Sequence, residues 1–232
     1  MGKESFLKSK RFAYIALIMA LLGIAIKLTV VFTFDNHLIK EFPELINGWN
    51  YFGFFTVLTN FMVDLWLILL AISIFISSDA LNGFLTRPFL QGFITVMIFT
   101  VGFIYCFIMF WFDIVYSASL WWGNLANFWN HAIVPTIIVL LYFRTTDGKK
   151  LSMKNVALWM VYPLAYLIFS MIRGNKVGWY PYPFLEAGWE IYAELDINPT
   201  LGIAICIAFL FFFILGAGTL AMRIHNKRIT RK

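Results

Sequence analysis

Runs of about twenty residues with hardly a charged side chain recur from one end of this chain to the other. A helix rises 1.5 Å per residue, so each run is long enough to cross a hydrocarbon layer of about 30 Å. Water is absent from such a layer, so a crossing segment has to satisfy its own backbone hydrogen bonds. The alternating segments of about ten residues that mark a membrane β-barrel are missing, which leaves helices. Composition agrees: 61% of the 232 residues are hydrophobic and 13% are charged, against roughly 25% charged in soluble domains. One water-surrounded core could not hide 26 Phe, 9 Trp and 10 Tyr; lipid has to solvate many of them. The expected class is an all-α polytopic membrane protein, a six-transmembrane-helix bundle.

The six spans are predicted at Phe12–Phe34, Trp49–Ser77, Phe89–Phe112, Leu125–Phe143, Val156–Ile172 and Leu201–Met222. Connections are short except the last, and none has room for a soluble domain, so residues 1–232 read as one integral membrane domain. The first span follows a basic stretch as a signal peptide would. It is too long for a signal core and lacks a small-residue cleavage site, so it is kept as a helix. Cys106 and Cys206 fall within apolar spans without metal-ligand spacing and read as buried small apolar residues. No disulfide, metal or organic cofactor is expected.

Charge is distributed unevenly between the connections. Lys3, Lys8, Lys10 and Arg11 precede the first span, Arg87 lies in the second connection, and Arg144, Lys149, Lys150 and Lys154 lie in the fourth. Arg223, Lys227, Arg228, Arg231 and Lys232 follow the last span. The alternate connections hold only Lys40, Arg173 and Lys176 beside Asp35, Glu41, Glu44, Asp113, Glu186, Glu190, Glu194 and Asp196. The positive-inside rule then predicts a multi-pass protein of the cell membrane with both termini cytoplasmic. Basic residues clustered at helix ends face anionic headgroups, so membrane lipids are the expected partners and nucleic acid is not.

Polar side chains inside the spans cost at least about 2.5–3.5 kcal/mol each when charged, and so default to partners or function. Lys27, in the outer third of the first span, reads as snorkelling toward the headgroups. Asp64 lies too deep in the second span for that, and is expected to face the bundle, protonated or paired with a cation or hydroxyl. Thr56, Asn60 and Asp64 recur at four-residue intervals and share a helix face, with Thr59 adjacent. In the fourth span Asn124, Asn127 and His131 line up, with Asn130 beside the histidine. Pro135 clashes with the carbonyl of His131, four residues back, and opens space there. Tyr166, Ser170 and Arg173 in the fifth span are placed to close the outer side of a pocket. Thr56 and His131 each fall about seven residues inside their spans, roughly 10 Å of depth, with Lys27, Tyr166 and Ser170 near the same level. Convergent polar groups in an apolar bundle mark a binding or active site. Spans three and six read as lipid-facing or packing helices, with Gly202, Gly216 and Gly218 as close-packing spots. The segment from Trp179 to Glu186, rich in proline and aromatics, reads as a stiff lid at the membrane surface.

Three stretches carry a resemblance: Tyr51 to Asn60 (YFGFFTVLTN), Asn127 to Pro135 (NFWNHAIVP) and Trp179 to Glu186 (WYPYPFLE). In order and topology, across nearly the whole chain, they resemble the androgen-induced-gene family of six-span membrane proteins and their small bacterial relatives. Animal members are intramembrane threonine hydrolases of fatty acid esters of hydroxy fatty acids. The resemblance implies that Thr56 is a nucleophile and His131 its base, acting on a lipid ester; Phe128, Thr59 and the position of Pro135 depart from the family pattern. A threonine hydroxyl needs such a base within reach, and a neutral imidazole can supply it. Asn127 or Asn130 is placed to orient the ring or donate to an oxyanion, and Tyr166 or Lys27 to add a donor. A non-catalytic lipid or small-solute binder or transporter would use the same pocket with Asp64 and Lys27 as ion-coupled groups. The internal repeats and glycine-interrupted helix pairs common in transporters are missing. A scaffold subunit is the third possibility.

Overall fold

The computed structural model describes residues 6–33, 48–109, 121–145 and 148–230. Six of its helices are long and apolar enough to cross a membrane: Lys10–Phe32, Phe55–Phe75, Pro88–Phe107, Leu125–Arg144, Met153–Val177 and Pro199–Thr230, the first to sixth spans here. The expected ends at Phe34 and Phe112, the charged residues Lys3, Asp35, Lys40, Glu41, Glu44, Asp113, Arg231 and Lys232, and the side chain of Asn124 lie outside what is described.

The first two spans form the tightest pair. Ala13, Ala16, Ala20 and Gly23 repeat at alternating steps of three and four residues and are all buried. Small residues at that spacing let two helix backbones approach closely. They pack on Val63, Leu67, Leu70, Ala71 and Ile74 of the second span. The next step of the stripe is Lys27, 1% exposed, whose Nζ lies 2.8 Å from Asp64 Oδ2. This corrects the snorkelling expectation: the stripe turns Lys27 into the bundle, where Asp64 is the nearest compensation for its charge. A Cβ at Gly23 would stand 2.6 Å from Asp64 Oδ1, so the glycine makes room for the pair.

The second span starts later than Trp49. Residues Gly48–Gly53 form a 3₁₀ turn, Phe54 is extended, and the helix runs over Phe55–Phe75. Thr56 is therefore the second residue of its helix, not seven residues deep within it. The third span takes the packing alternative of the two expected for it. Ile94, Val96, Met97 and Ile98 are each no more than 2% exposed, so this helix is central on that face, while Phe89, Phe99 and Phe107 stay exposed. The sixth span is peripheral along Leu201, Ile205, Phe209, Phe212 and Leu220, each at least half exposed. Gly202 and Gly218 do admit close neighbours, the Tyr192 ring and Val156, while a Cβ at Gly216 would point into open space.

The fifth span is broken into Met153–Trp159 and Val161–Val177. Pro163 has no amide to donate to the carbonyl of Trp159, four residues back, and its ring clashes there. Trp159 fills the break, 1% exposed, donating Nε1–H to Phe89 O at 3.1 Å. With Val96, Met97, Val156, Met160 and Ile214 it forms a second core shared by spans three, five and six.

Contacts sort the connections between the two ends. Lys8 Nζ meets Asp79 Oδ1 at 2.9 Å, Asn226 exchanges 2.8 Å hydrogen bonds with the Leu151 backbone, and His225 Nε2 lies 3.0 Å from Lys149 O. The start of the chain, the second and fourth connections and the end of the last helix thus share one end. The opposite end carries the 48–53 turn and residues 178–198.

Candidate active site

Thr56 occupies the free N-terminus of the second span. Phe54 offers no side-chain cap, so first-turn amides are left without helical partners and concentrate positive charge there. The Thr56 N–H points to Tyr182 Oη at 3.4 Å, across from the loop between spans five and six. Asn60, one turn below, is fully buried and uses its side-chain amide twice. It donates to Thr56 O at 2.9 Å and to Asn130 O at 3.0 Å. Asn130 in turn donates to Tyr51 Oη at 3.0 Å. One asparagine therefore ties the level of Thr56 to the residue before His131.

His131 sits in a π-helical turn, Trp129–Ile133, which ends two residues before Pro135. The missing proline amide leaves the His131 carbonyl without its helical donor, and a wider turn there accommodates the mismatch. That carbonyl faces Gly102 of the third span, where a Cβ would lie 2.9 Å from it and 2.8 Å from Pro135 Cβ. The imidazole stacks on Tyr105, itself in a π turn of the third span, with centroids 3.8 Å apart and planes at 15°. Its Nδ1 lies 2.8 Å from the backbone carbonyl of Asn127. A carbonyl only accepts, so Nδ1 carries the proton and Nε2 keeps a free lone pair.

Both residues line one cavity of about 130 Å³. Thr56, His131, Tyr105, Tyr166 and Tyr182 gather at one end, and apolar side chains, mainly of spans three, five and six with Phe55, Phe184 and Leu185, form most of the remainder. No direct hydrogen bond joins the Thr56 hydroxyl to the imidazole among the described residues. The loop from Trp179 folds inward over this end and not flat on a surface. Tyr182 and Trp179 meet the Phe54 ring edge-on at 5.8 and 5.7 Å, and Leu185 is 2% exposed. Burial raises the Tyr182 phenol above its ordinary value, opposed in part by the Thr56 side chain and backbone. It remains a protonated donor beside Thr56. Burial likewise raises the Tyr51 phenol, with Asn130 opposing.

Of the other residues singled out in the sequence, Tyr166 is on the cavity wall and donates to Gly53 O at 2.9 Å. Thr59 is turned away, 3.1 Å from the Tyr162 hydroxyl. Asn60 and Asn130 brace the site from behind, and Asn127 contributes its backbone carbonyl to the histidine. Lys27 and Asp64 neutralise each other between spans one and two, outside the cavity lining. Ser170 is buried one turn from Tyr166, also outside the lining. Arg173 donates to Asn50 and lies over the Trp179 ring at 4.6 Å, fastening the lid. Cys106 is exposed and Cys206 half-buried, both as free thiols, which corrects the expectation of buried cysteines.

Sequence reasoning missed Tyr105, Tyr182 and the walls from spans three and six. Tyr182 was in view as part of the lid; its inward turn depends on a contact over a hundred residues away. No protein-family model, curated protein or solved structure matches this chain.

Proposed function

We propose that this chain is an intramembrane hydrolase of fatty-acyl esters with Thr56 as nucleophile and His131 as general base. The observation that carries the reading is the shared cavity, in which a hydroxyl at a helix N-terminus and an imidazole with a free Nε2 stand at the same polar end. The Thr56 Oγ1 bonds to the ester carbonyl carbon as its proton passes to His131 Nε2. The imidazolium then gives that proton to the departing alcohol oxygen, leaving an acyl-threonine. Water attacks the acyl carbon, again giving its proton to Nε2, and that proton returns to Thr56 as the fatty acid leaves. The Thr56 N–H and the Tyr182 hydroxyl stand where they can stabilise the oxyanion in both steps. Sites of this kind often close their hydrogen bonds only with substrate in place, so the open Thr56–His131 geometry is compatible with the reading.

By the positive-inside rule the basic end faces the cytoplasm and the lid faces outward. The protein then lies in the cell membrane, with lipid as the source of its ester and the outer medium as the source of water. An ion-coupled transporter would need Asp64 and Lys27 at the cavity, and their mutual pairing elsewhere supports no such role.

The test is labelling of the purified protein by a fluorophosphonate hydrolase probe. Thr56→Ala abolishes labelling, His131→Ala slows it by about 10³-fold or more, and Thr56→Ser retains it. Undiminished labelling in a folded Thr56→Ala protein removes the hydrolase reading.

A further inference from the structure

The cavity has a direction, and its length carries information about the ligand. The third span runs from the basic end toward the lid, and contributes Thr100 deep and Tyr105 near the lid. The fifth runs the same way, from Met160 to Leu167, and the sixth runs back from Ile207 to Ile214. Every polar wall residue except Thr100 gathers at the lid end, and the Thr100 hydroxyl is already committed to Val96 O at 2.9 Å. Below Met160 and Ile214, which are 5% and 6% exposed, lie Val96, Met97, Val156 and Trp159, each no more than 2% exposed. The lower end is therefore a packed floor. Seven residues of helix separate Ile207 from Ile214, about 10 Å of axial depth. An apolar cavity of about 150 Å³ is known to hold a six-carbon ring, and this one measures about 130 Å³.

We infer that the cavity is an acyl slot of fixed depth that seats a linear saturated chain of about six to eight carbons, carboxyl end toward Thr56 and methyl end on Met160 and Ile214. The slot deepens the hydrolase reading and rests on it for the direction of the chain. The chemistry that selects the ligand is methylene burial: each added CH₂ tightens binding about fourfold until the floor is reached. Beyond that, an extra methylene has to displace packed side chains, which costs about as much as it gains or more.

Two measurements separate the slot from the chemistry. The first is turnover of p-nitrophenyl esters of four to sixteen acyl carbons by the protein in nanodiscs. The expected rate peaks at six to eight carbons and falls at least tenfold by twelve. Ile214→Ala and Met160→Ala move the peak up by two to four carbons, and Leu210→Phe, which fills the slot without opening the floor, moves it down. The second is native mass spectrometry of Thr56→Ala protein with fatty acid methyl esters of the same lengths, where binding peaks at the same chain length without cleavage. A peaked binding profile with no turnover of any ester by the wild type sustains the slot and overturns the hydrolase. Binding that rises steadily to sixteen carbons, as partition into the apolar phase alone dictates, overturns the slot whether or not esters are cleaved. A peak that stays put in both floor variants and in Leu210→Phe also overturns it.

Discussion

Lys27 is held by two acceptors, the Asp64 carboxylate at 2.8 Å and the Gly23 carbonyl at 3.2 Å, inside a surround of small apolar side chains. Taking two charges from water is expensive, and their mutual attraction repays the cost only while both are present. Lys27→Met strands a buried carboxylate and is expected to destabilise the protein by about 3–5 kcal/mol, whereas Lys27→Met with Asp64→Leu recovers most of that loss. Thermal unfolding in detergent micelles checks this; a double variant no better than the single would show that packing and not charge sets the cost. The pair was half-legible. Asp64 is too deep to reach water on any reading, but snorkelling and burial compete for a lysine. The stripe Ala13, Ala16, Ala20, Gly23 decides between them, because Lys27 continues it at the same spacing.

At the scale of elements, the site depends on irregular helix geometry at three places. The second span starts with an uncapped turn that directs the Thr56 amide to the Tyr182 hydroxyl and not to a helical partner, and spans three and four carry neighbouring π turns that bring Tyr105 and His131 face to face. Gly102 is the hinge of that arrangement, since the His131 carbonyl and Pro135 both lie where a side chain would be. Gly102→Val is therefore expected to push spans three and four apart, unstack Tyr105 from His131 and cost about 1–3 kcal/mol of stability. Probe labelling should fall by more than tenfold in protein that still elutes as a folded species. Full labelling with unchanged stability would mean that the backbones yield without moving the ring. Pro135 pointed to the disturbance from sequence alone, since a proline inside a helix always frees a carbonyl. The matching π turn in span three has no such marker, and Tyr105 stayed hidden in an apolar run.

Across the whole molecule, the lid is built from residues that only meet after the spans assemble. Tyr192 is one of its fixings: the ring lies where Gly202 leaves room, and its hydroxyl donates to Phe184 O at 2.7 Å. Removing that ring by Tyr192→Ala is expected to loosen residues 179–190 and speed limited proteolysis there by about tenfold. The same variant should raise KM for a lipid ester more than it lowers kcat. Cleavage at the wild-type rate would mean that Arg173, Trp179 and Tyr182 hold the lid without it. The first span, joined to the second by the Ala stripe and the ion pair, contributes nothing to the cavity lining and backs the helix that carries Thr56 and Asn60.

The amino-acid order by itself dictated the six apolar helices and the grouping of basic residues at one end, and it singled out Thr56, His131 and Tyr166 as polar side chains in apolar surroundings; equal depth did not bring them together, since Thr56 is the second residue of its helix. Those follow from length, charge and periodicity, which act within a segment or along the membrane normal. Helix assembly alone decided that Lys27 and Asp64 satisfy each other, that the third span is central, that Tyr105 and Tyr182 touch the candidate residues, and that the cavity ends on Met160 and Ile214. Each of these is a contact between segments distant in sequence, set by rotation of one helix about its axis against another, and side-chain packing fixes that rotation only in the assembled bundle.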